Sequence, residues 1–240
     1  MTIRPIVFSD LDYTIIFDSV LHPETERLLT RLRERALFII VTARSYQECA
    51  PLPPIPNDGI ITENGASIFR RVDGKDLLCA DWDRQMSVRQ ETLDTYRDML
   101  ENQGWVIHYK PRAFSTNVEG SGKTDADVDA VVAALPEGLQ LQFSRNTAGR
   151  YLEVFPLEAG KDKALRRVCL EHGVPLERSF ALGDNTNDMD MLKVAGHAFA
   201  PGNCHPDVRA LLQRIGGYVS PEEGHAGAQD ILRKVMAELA

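Results

Sequence analysis

Ile6-Val7-Phe8-Ser9-Asp10-Leu11-Asp12-Tyr13-Thr14 joins an apolar run to two acids and a hydroxyl. The run predicts a buried strand, and the acids fall where it opens into a loop, exposed to a ligand but backed by core. A free aspartate titrates near pH ~4, so Asp10 reads as an anion at neutral pH, able to attack phosphorus without the separate base that a serine needs. It is the candidate nucleophile. Asp12 points to the other side of a strict strand, yet in an opening loop it can swing toward a leaving oxygen and exchange a proton there. The same residues also read as two loop aspartates, with Thr14 as a cap or turn group, and the rest of the chain has to choose.

Downstream, Pro23 suits the first turn of a helix that carries Leu28, Leu29, Leu32 and Ala36 on one face. Leu37 to Val41 follows as a continuous apolar strand of the kind buried on both faces of a parallel sheet. Strand, helix and strand imply a right-handed crossover, which brings Thr42-Ala43-Arg44 to the same carboxyl edge as Asp10, where open α/β sheets bind ligands. Alone, Thr42 reads equally as a cap for a helix starting near Ser45. Residues 58–62 and 66–69 are short strand candidates joined by Glu63-Asn64-Gly65, whose Asn-Gly pair signals a hairpin. Asn64 is assigned to that turn, with support of a pocket as its second reading.

From about residue 80 to 158 the pattern changes character. A helix from Val88 to Gln103, strands over Trp105–Tyr109 and Ala113–Val118, a helix from Asp125 to Leu135, and strands over Leu139–Ser144 and Tyr151–Phe155 compose an α+β layer of their own. The expected organisation is a core of residues 1–80 and 159–240 with a second domain, 81–158, inserted. The core resumes at Gly160-Lys161-Asp162-Lys163, which opens a helix ended by Gly173. Two lysines in a first turn oppose the helix macrodipole and invite a role, although a solvated turn also accounts for them. Phe180-Ala181-Leu182 then runs into Gly183-Asp184-Asn185-Thr186-Asn187-Asp188, a loop that offers Asp184 and Asp188 as the hard oxygen ligands Mg2+ prefers, or as caps alone. The remainder alternates strand and helix, ending on an amphipathic helix.

Composition narrows the partners. The 240 residues are 43% hydrophobic and 26% charged, as in ordinary globular proteins, and the net charge of −8 argues against nucleic acid and anionic membrane surfaces. Cys49, Cys79, Cys169 and Cys204 are scattered without metal or redox spacing and are expected to be reduced packing thiols. With no signal-like apolar segment before the first strand and no run of transmembrane length, the expectation is a cytoplasmic protein, monomeric or a small homo-oligomer.

Taken together, Asp10-Leu11-Asp12-Tyr13-Thr14, Thr42, Lys161 and Gly183-Asp184 through Asn187-Asp188 resemble, in order and spacing, the four motifs of the haloacid dehalogenase superfamily of phosphohydrolases. Thr62-Glu63-Asn64-Gly65-Ala66, Gly160 to Leu165, Gly202-Asn203 and Glu223-Gly224 are similar to its subgroup IIB, which has a large α/β cap. That subgroup includes sucrose-phosphate, trehalose-phosphate and mannosylphosphoglycerate phosphatases and the Cof-type sugar phosphatases. The resemblance implies an α/β fold, a Rossmann-like doubly wound parallel sheet with an inserted α+β cap. It also implies Mg2+-dependent hydrolysis of a phosphorylated sugar or related small metabolite through an aspartyl-phosphate. Asp10 is then the nucleophile, Asp12 the acid and base, and Lys161 the third-motif cation. Mg2+ would be held by the Asp10 carboxylate, the Asp12 backbone carbonyl, Asp184 and Asp188. Thr42, the Ala43 amide, Arg44 and Asn187 would meet the phosphoryl end of the substrate. Asp10, Asp184, Asp188 and a phosphate dianion total about −5, against about +3 from Mg2+ and Lys161, so both cations are needed. Specificity is expected from the cap, where Lys110, Arg112, Ser144, Arg145 and Asn146 lie near strand ends; Arg145 and Asn146 rank first, against a reading of plain loop residues. Tyr13, Ala43 and Asp162 stand where many relatives have glycine. A phosphosugar mutase and a catalytically silent sugar-phosphate-binding protein are the alternatives.

Overall fold

A computed structural model describes residues 4–146 and 149–239. Twelve strands are found among them: β1 (Ile6–Ser9), β2 (Leu37–Val41), β3 (Gly59–Thr62), β4 (Ser67–Val72), β5 (Lys75–Leu78), β6 (Ile107–Tyr109), β7 (Phe114–Asn117), β8 (Leu139–Asn146), β9 (Gly149–Pro156), β10 (Ser179–Leu182), β11 (His197–Ala200) and β12 (Tyr218–Val219). The helices are α1 (Pro23–Leu32), α2 (Tyr46–Cys49), α3 (Ala80–Ser87), α4 (Gln90–Asn102), α5 (Asp125–Ala133), α6 (Lys161–Glu171), α7 (Met189–Val194), α8 (Pro206–Ile215) and α9 (Gly224–Glu238).

The large sheet has the order β12-β11-β10-β1-β2-β3-β4-β5, parallel from β12 to β3 and antiparallel beyond. Both faces of its parallel part are apolar because β1, β2, β3 and β10 carry continuous apolar runs, and strand alternation divides them. Val7, Phe38, Ile40, Ile60 and Leu182 face α1 and α9, packing on Leu28, Leu29, Leu32, Ile231 and Val235. Ile6, Phe8, Ile39, Val41 and Ala181 face the opposite way, onto Leu165 and Val168 of α6, Met191 and Leu192 of α7, and Leu211 of α8. This is the doubly wound core that was expected.

The second sheet, β6-β7-β9-β8, is antiparallel throughout. One face carries a cluster of its own, in which Leu93, Tyr96 and Leu100 of α4 and Val128 and Val131 of α5 cover Phe114, Leu139, Leu152 and Val154. Trp82 and Met86 of α3 pack instead with the core, and the Trp82 indole donates to the Gly65 carbonyl at 2.9 Å. The helix expected from Val88 is therefore preceded by a separate helix that serves the core, and α4 starts only at Gln90. Likewise β6 begins at Ile107 rather than Trp105, since the Trp105 and Val106 amides are taken by the Leu100 carbonyl and the Ser121 hydroxyl. Strand β5 was missed, although its signal was present: Asp73-Gly74 joins it to β4 with φ of 50° and 77°, the geometry that makes Asp-Gly a hairpin turn. The four cysteines are free thiols.

Candidate active site

Strand β1 sits between β2 and β10, so their carboxyl ends meet at one point on the sheet edge. Pairing continues to the last residue, with the Asp10 amide donating to Leu182 at 2.8 Å and the Thr42 amide to Ile61 at 2.8 Å. The first side chain beyond each strand is thereby fixed. Lys161, in the first turn of α6, is 3% exposed and reaches across to donate to Asp10 Oδ1 at 2.6 Å and Asp188 Oδ1 at 2.7 Å. The other oxygen of Asp188, which is fully buried, accepts from the amides of Asp184 and Asn185, both at 3.0 Å. Gly183 permits that turn, because a Cβ there would lie 2.5 Å from the Cβ of Asp188. Thr14 donates to Asp184 Oδ1 at 2.8 Å and so ties the first loop to the last.

Asp10, Asp184 and Asp188 offer one oxygen each within 4.8 Å of one another, all three buried. Burial pushes the Asp10 carboxyl well above the usual carboxylate range; Lys161 opposes the shift, and the charges of Asp188 and Asp184 add to it. Burial likewise lifts Asp184 to about 7, with the charge of Asp188 adding and Thr14 and Lys161 opposing. For Lys161, burial works against the ammonium, but Asp10 and Asp188 outweigh it and hold the proton more firmly than on a free lysine. Asp10 is thus not a free aspartate: the Lys161 ammonium at 2.6 Å is the group that favours its charged form. Three acids with one lysine leave an excess of negative charge, and an all-oxygen donor set of this size fits a hard divalent cation.

Asp12 is separate from this cluster, half-buried at the mouth, where Arg44 grips it in a two-pronged pair at 2.7 and 2.8 Å. Tyr13 has φ of 58°, the left-handed region that favours glycine, which explains why a glycine is common at that place in the motif. The turn is braced by Asn203, which donates to the Tyr13 carbonyl and accepts from the Gly224 amide, both at 2.9 Å, so the late Gly202-Asn203 and Glu223-Gly224 pieces act on the first loop. Thr42 is buried, and its hydroxyl accepts from the Arg44 amide at 3.1 Å.

The uncovered face of the second sheet closes over these loops. A cleft of about 400 Å³ lies between them, with Asp10, Asp12, Tyr13, Thr42, Ala43, Arg44, Asp184 and Asn187 on one side and Lys110, Ser115, Ser144, Tyr151 and Glu153 on the other. Lys110 donates to the Ala43 carbonyl at 2.8 Å and lies 3.4 Å from Glu153. Asn187 donates to the Asn64 side-chain oxygen at 3.2 Å. Arg145 and Asn146 end β8, and their side chains lie outside the described residues.

A family model for haloacid dehalogenase-like hydrolases matches residues 89–224, more than half of the chain. The chain belongs to that family. It is similar to the HMP-PP phosphatase of Serratia proteamaculans, with 25% identity over an alignment of 240 residues covering 86% of each chain. A 5-amino-6-(5-phospho-D-ribitylamino)uracil phosphatase of Bacillus subtilis is also 25% identical, across 86% of this chain and 87% of that one. In fold it is similar to the sucrose-phosphatase of Synechocystis sp. PCC6803 solved with sucrose and phosphate, with a TM-score of 0.76, 20% identity and 98% of both chains covered. A haloacid dehalogenase subclass IIB sugar phosphatase superposes with a TM-score of 0.70 at 18% identity, over 97% of this chain and 99% of that one.

In this haloacid dehalogenase-like chain the sequence reading did not single out Ser115, Tyr151 and Glu153 of the cleft, nor the bond of Thr14 to Asp184. For Glu153 a signal exists, since an acid interrupts the apolar strand Tyr151-Leu152-Glu153-Val154-Phe155 on the face away from Leu152 and Val154. Glu63 has a measurable consequence. It is buried, accepts from the Arg112 amide at 2.6 Å, and burial raises its carboxyl from 4.5 to about 7 against that bond and the charges of Lys110 and Arg112. Its folded pKa exceeds its unfolded one, so the stability it contributes is complete below pH ~4.5 and is lost as pH rises through ~7, by about 3 kcal/mol at most. Glu63→Gln should flatten that slope, so its thermal midpoint falls less than that of wild type between about pH 5 and about pH 8. Parallel slopes would remove Glu63 from the account.

Proposed function

We propose that the protein is a Mg2+-dependent phosphohydrolase that removes phosphate from a phosphorylated sugar or related small metabolite through an aspartyl-phosphate. The observation that carries this reading is the Asp10–Lys161–Asp188 arrangement at the edge of β1, beside Asp184 and under the second sheet. Family membership and the named phosphatases among the relatives support it. The carboxylates of Asp10, Asp184 and Asp188, with the Asp12 carbonyl, would hold the cation, which when bound supplies the positive charge that this site lacks.

In this reading an Asp10 oxygen attacks phosphorus as the bond to the ester oxygen breaks, and Asp12 gives that oxygen its proton. Asp12, now a base, takes a proton from the attacking water; the Asp10–phosphorus bond breaks and inorganic phosphate leaves. Lys161 holds the attacking carboxylate and the Asp188 loop in one place throughout. Thr42, the Ala43 amide and Asn187 bind phosphoryl oxygens. Arg44, expected at the substrate, is engaged by Asp12 here, and an arriving anion has to draw it away before Asp12 can carry a proton. The residues of 81–158 would set the leaving group from above, with Lys110 and Glu153 the polar pair that meets it and Arg145 and Asn146 retained as candidates.

The test is phosphate release from a panel of sugar phosphates, with and without Mg2+ and with a chelator. Release that needs Mg2+ and disappears with the chelator is expected. Isomerisation of the sugar phosphate that needs a bisphosphate activator, with no phosphate released, would favour a phosphomutase, and binding without any turnover would favour a sugar-phosphate sensor.

A further inference from the structure

The turn Glu63-Asn64-Gly65 is more than a hairpin connection. All three residues have positive φ, 55°, 51° and 98°, and the two that bear side chains are buried. Two side-chain-bearing residues in that region cost stability, so the surroundings must hold the turn in this form. They do so from every part of the site. The Glu63 and Asn64 amides donate to the carbonyls of Arg44 and Thr42, at 2.9 and 3.1 Å. Gly65 lies against Gly160, just before Lys161, so closely that a Cβ would fall 2.2 Å from the Gly160 carbonyl oxygen.

The Asn64 side chain does not bond its own turn. Its amide nitrogen donates to Glu153 of β9, and its oxygen accepts from Asn187. This orientation is forced, because the Glu153 carboxylate can only accept and so must face the nitrogen. Asn187 therefore spends one amide hydrogen on Asn64, and the second, about 120° away on a planar NH2, remains for the cleft that Asn187 lines. Were Asn64 absent, the Asn187 amide could turn over and present its oxygen to a phosphoryl oxygen, a repulsive contact. Glu153 also neighbours Lys110, which holds the Ala43 carbonyl, so the same acid reaches both phosphoryl-binding loops from the second sheet.

We propose that Asn64 is a positioning residue that, with Glu153, couples the seating of the second sheet to the orientation of the Asn187 amide. The inference rests on the reading above, in which Asn187 binds a phosphoryl oxygen. The sheet then acts as more than a specificity element: seated, it sets a donor in the site; lifted, it releases that donor.

Asn64→Gly is the discriminating variant, since glycine suits a φ of 51° and only the amide is removed. With a sugar phosphate and Mg2+, kcat should fall ~10- to 100-fold while KM changes less than ~3-fold, at an unchanged thermal midpoint. Glu153→Ala should fall similarly, and the double variant should be no worse than the poorer single one. Hydrogen exchange at the Arg112 amide, which is bonded to Glu63 where the layers meet, should quicken in Asn64→Gly and Glu153→Ala alike. Wild-type kcat in Asn64→Gly, independent effects that multiply in the double variant, or unchanged Arg112 exchange would each overturn the coupling. A wild-type protein that releases no phosphate would refute the functional reading instead, and the exchange arm would still decide whether Asn64 and Glu153 hold the sheet down.

Discussion

Asp10→Asn should lower phosphate release ~10⁴-fold or more, to the background of the assay. The amide occupies the same volume as the carboxylate but has no anionic oxygen to form the bond to phosphorus. Stability should move little. Lys161 loses one partner but keeps Asp188 at 2.7 Å, and the neighbours Asp184 and Asp188 are relieved of a third acid within 4.8 Å. The expected pairing is therefore a silent enzyme with a thermal midpoint within a few degrees of wild type. A variant that turned over at the wild-type rate would show that Asp10 is not the nucleophile; a variant that unfolded would show that its charge is needed to seat Lys161.

Replacing that lysine should do the reverse, striking stability as hard as activity. Lys161→Met fills similar space but leaves Asp10, Asp184 and Asp188 buried together with no cation among them, a defect that costs about 3–5 kcal/mol when one partner of a buried pair is removed. Protonation relieves it, so the deficit should be smallest in acid and grow as pH rises through the range where the raised carboxyls would ionise. Mg2+ should relieve it too. In urea unfolding, added Mg2+ should therefore stabilise Lys161→Met by more than it stabilises the wild type. Equal stability of the two proteins without metal would mean that the ammonium is not what balances the acids.

Much of this site could be read before folding. Asp10 and Asp12 follow an apolar triplet, Thr42 follows an apolar quintet, and Asp184 follows Phe180-Ala181-Leu182; each reading uses only the rule that continuous apolar runs become buried parallel strands whose ends carry the chemistry. Other candidates have partners in the fold that the sequence did not indicate. Arg44 was placed on substrate and is found on Asp12, because the crossover after β1 brings the two loops side by side and a carboxylate is the nearest bidentate acceptor for a guanidinium. Asn64 was assigned to its turn, and its backbone does serve it, but its amide spans Glu153 and Asn187, which are 89 and 123 residues away.

The strand-and-helix order, the parallel core, the interruption by a second layer and the acids at the sheet edge are all written in local periodicity, which depends on neighbours two to four residues apart and survives without knowledge of the whole. The burial and neighbouring charge that shift Asp10 and Asp184, the lysine shared between Asp10 and Asp188, and the chain of contacts from Glu153 through Asn64 to Asn187 depend on distances across the folded chain. Electrostatics and hydrogen bonding act over a few ångströms of space whatever the separation in sequence, and only the tertiary structure brings these groups that close.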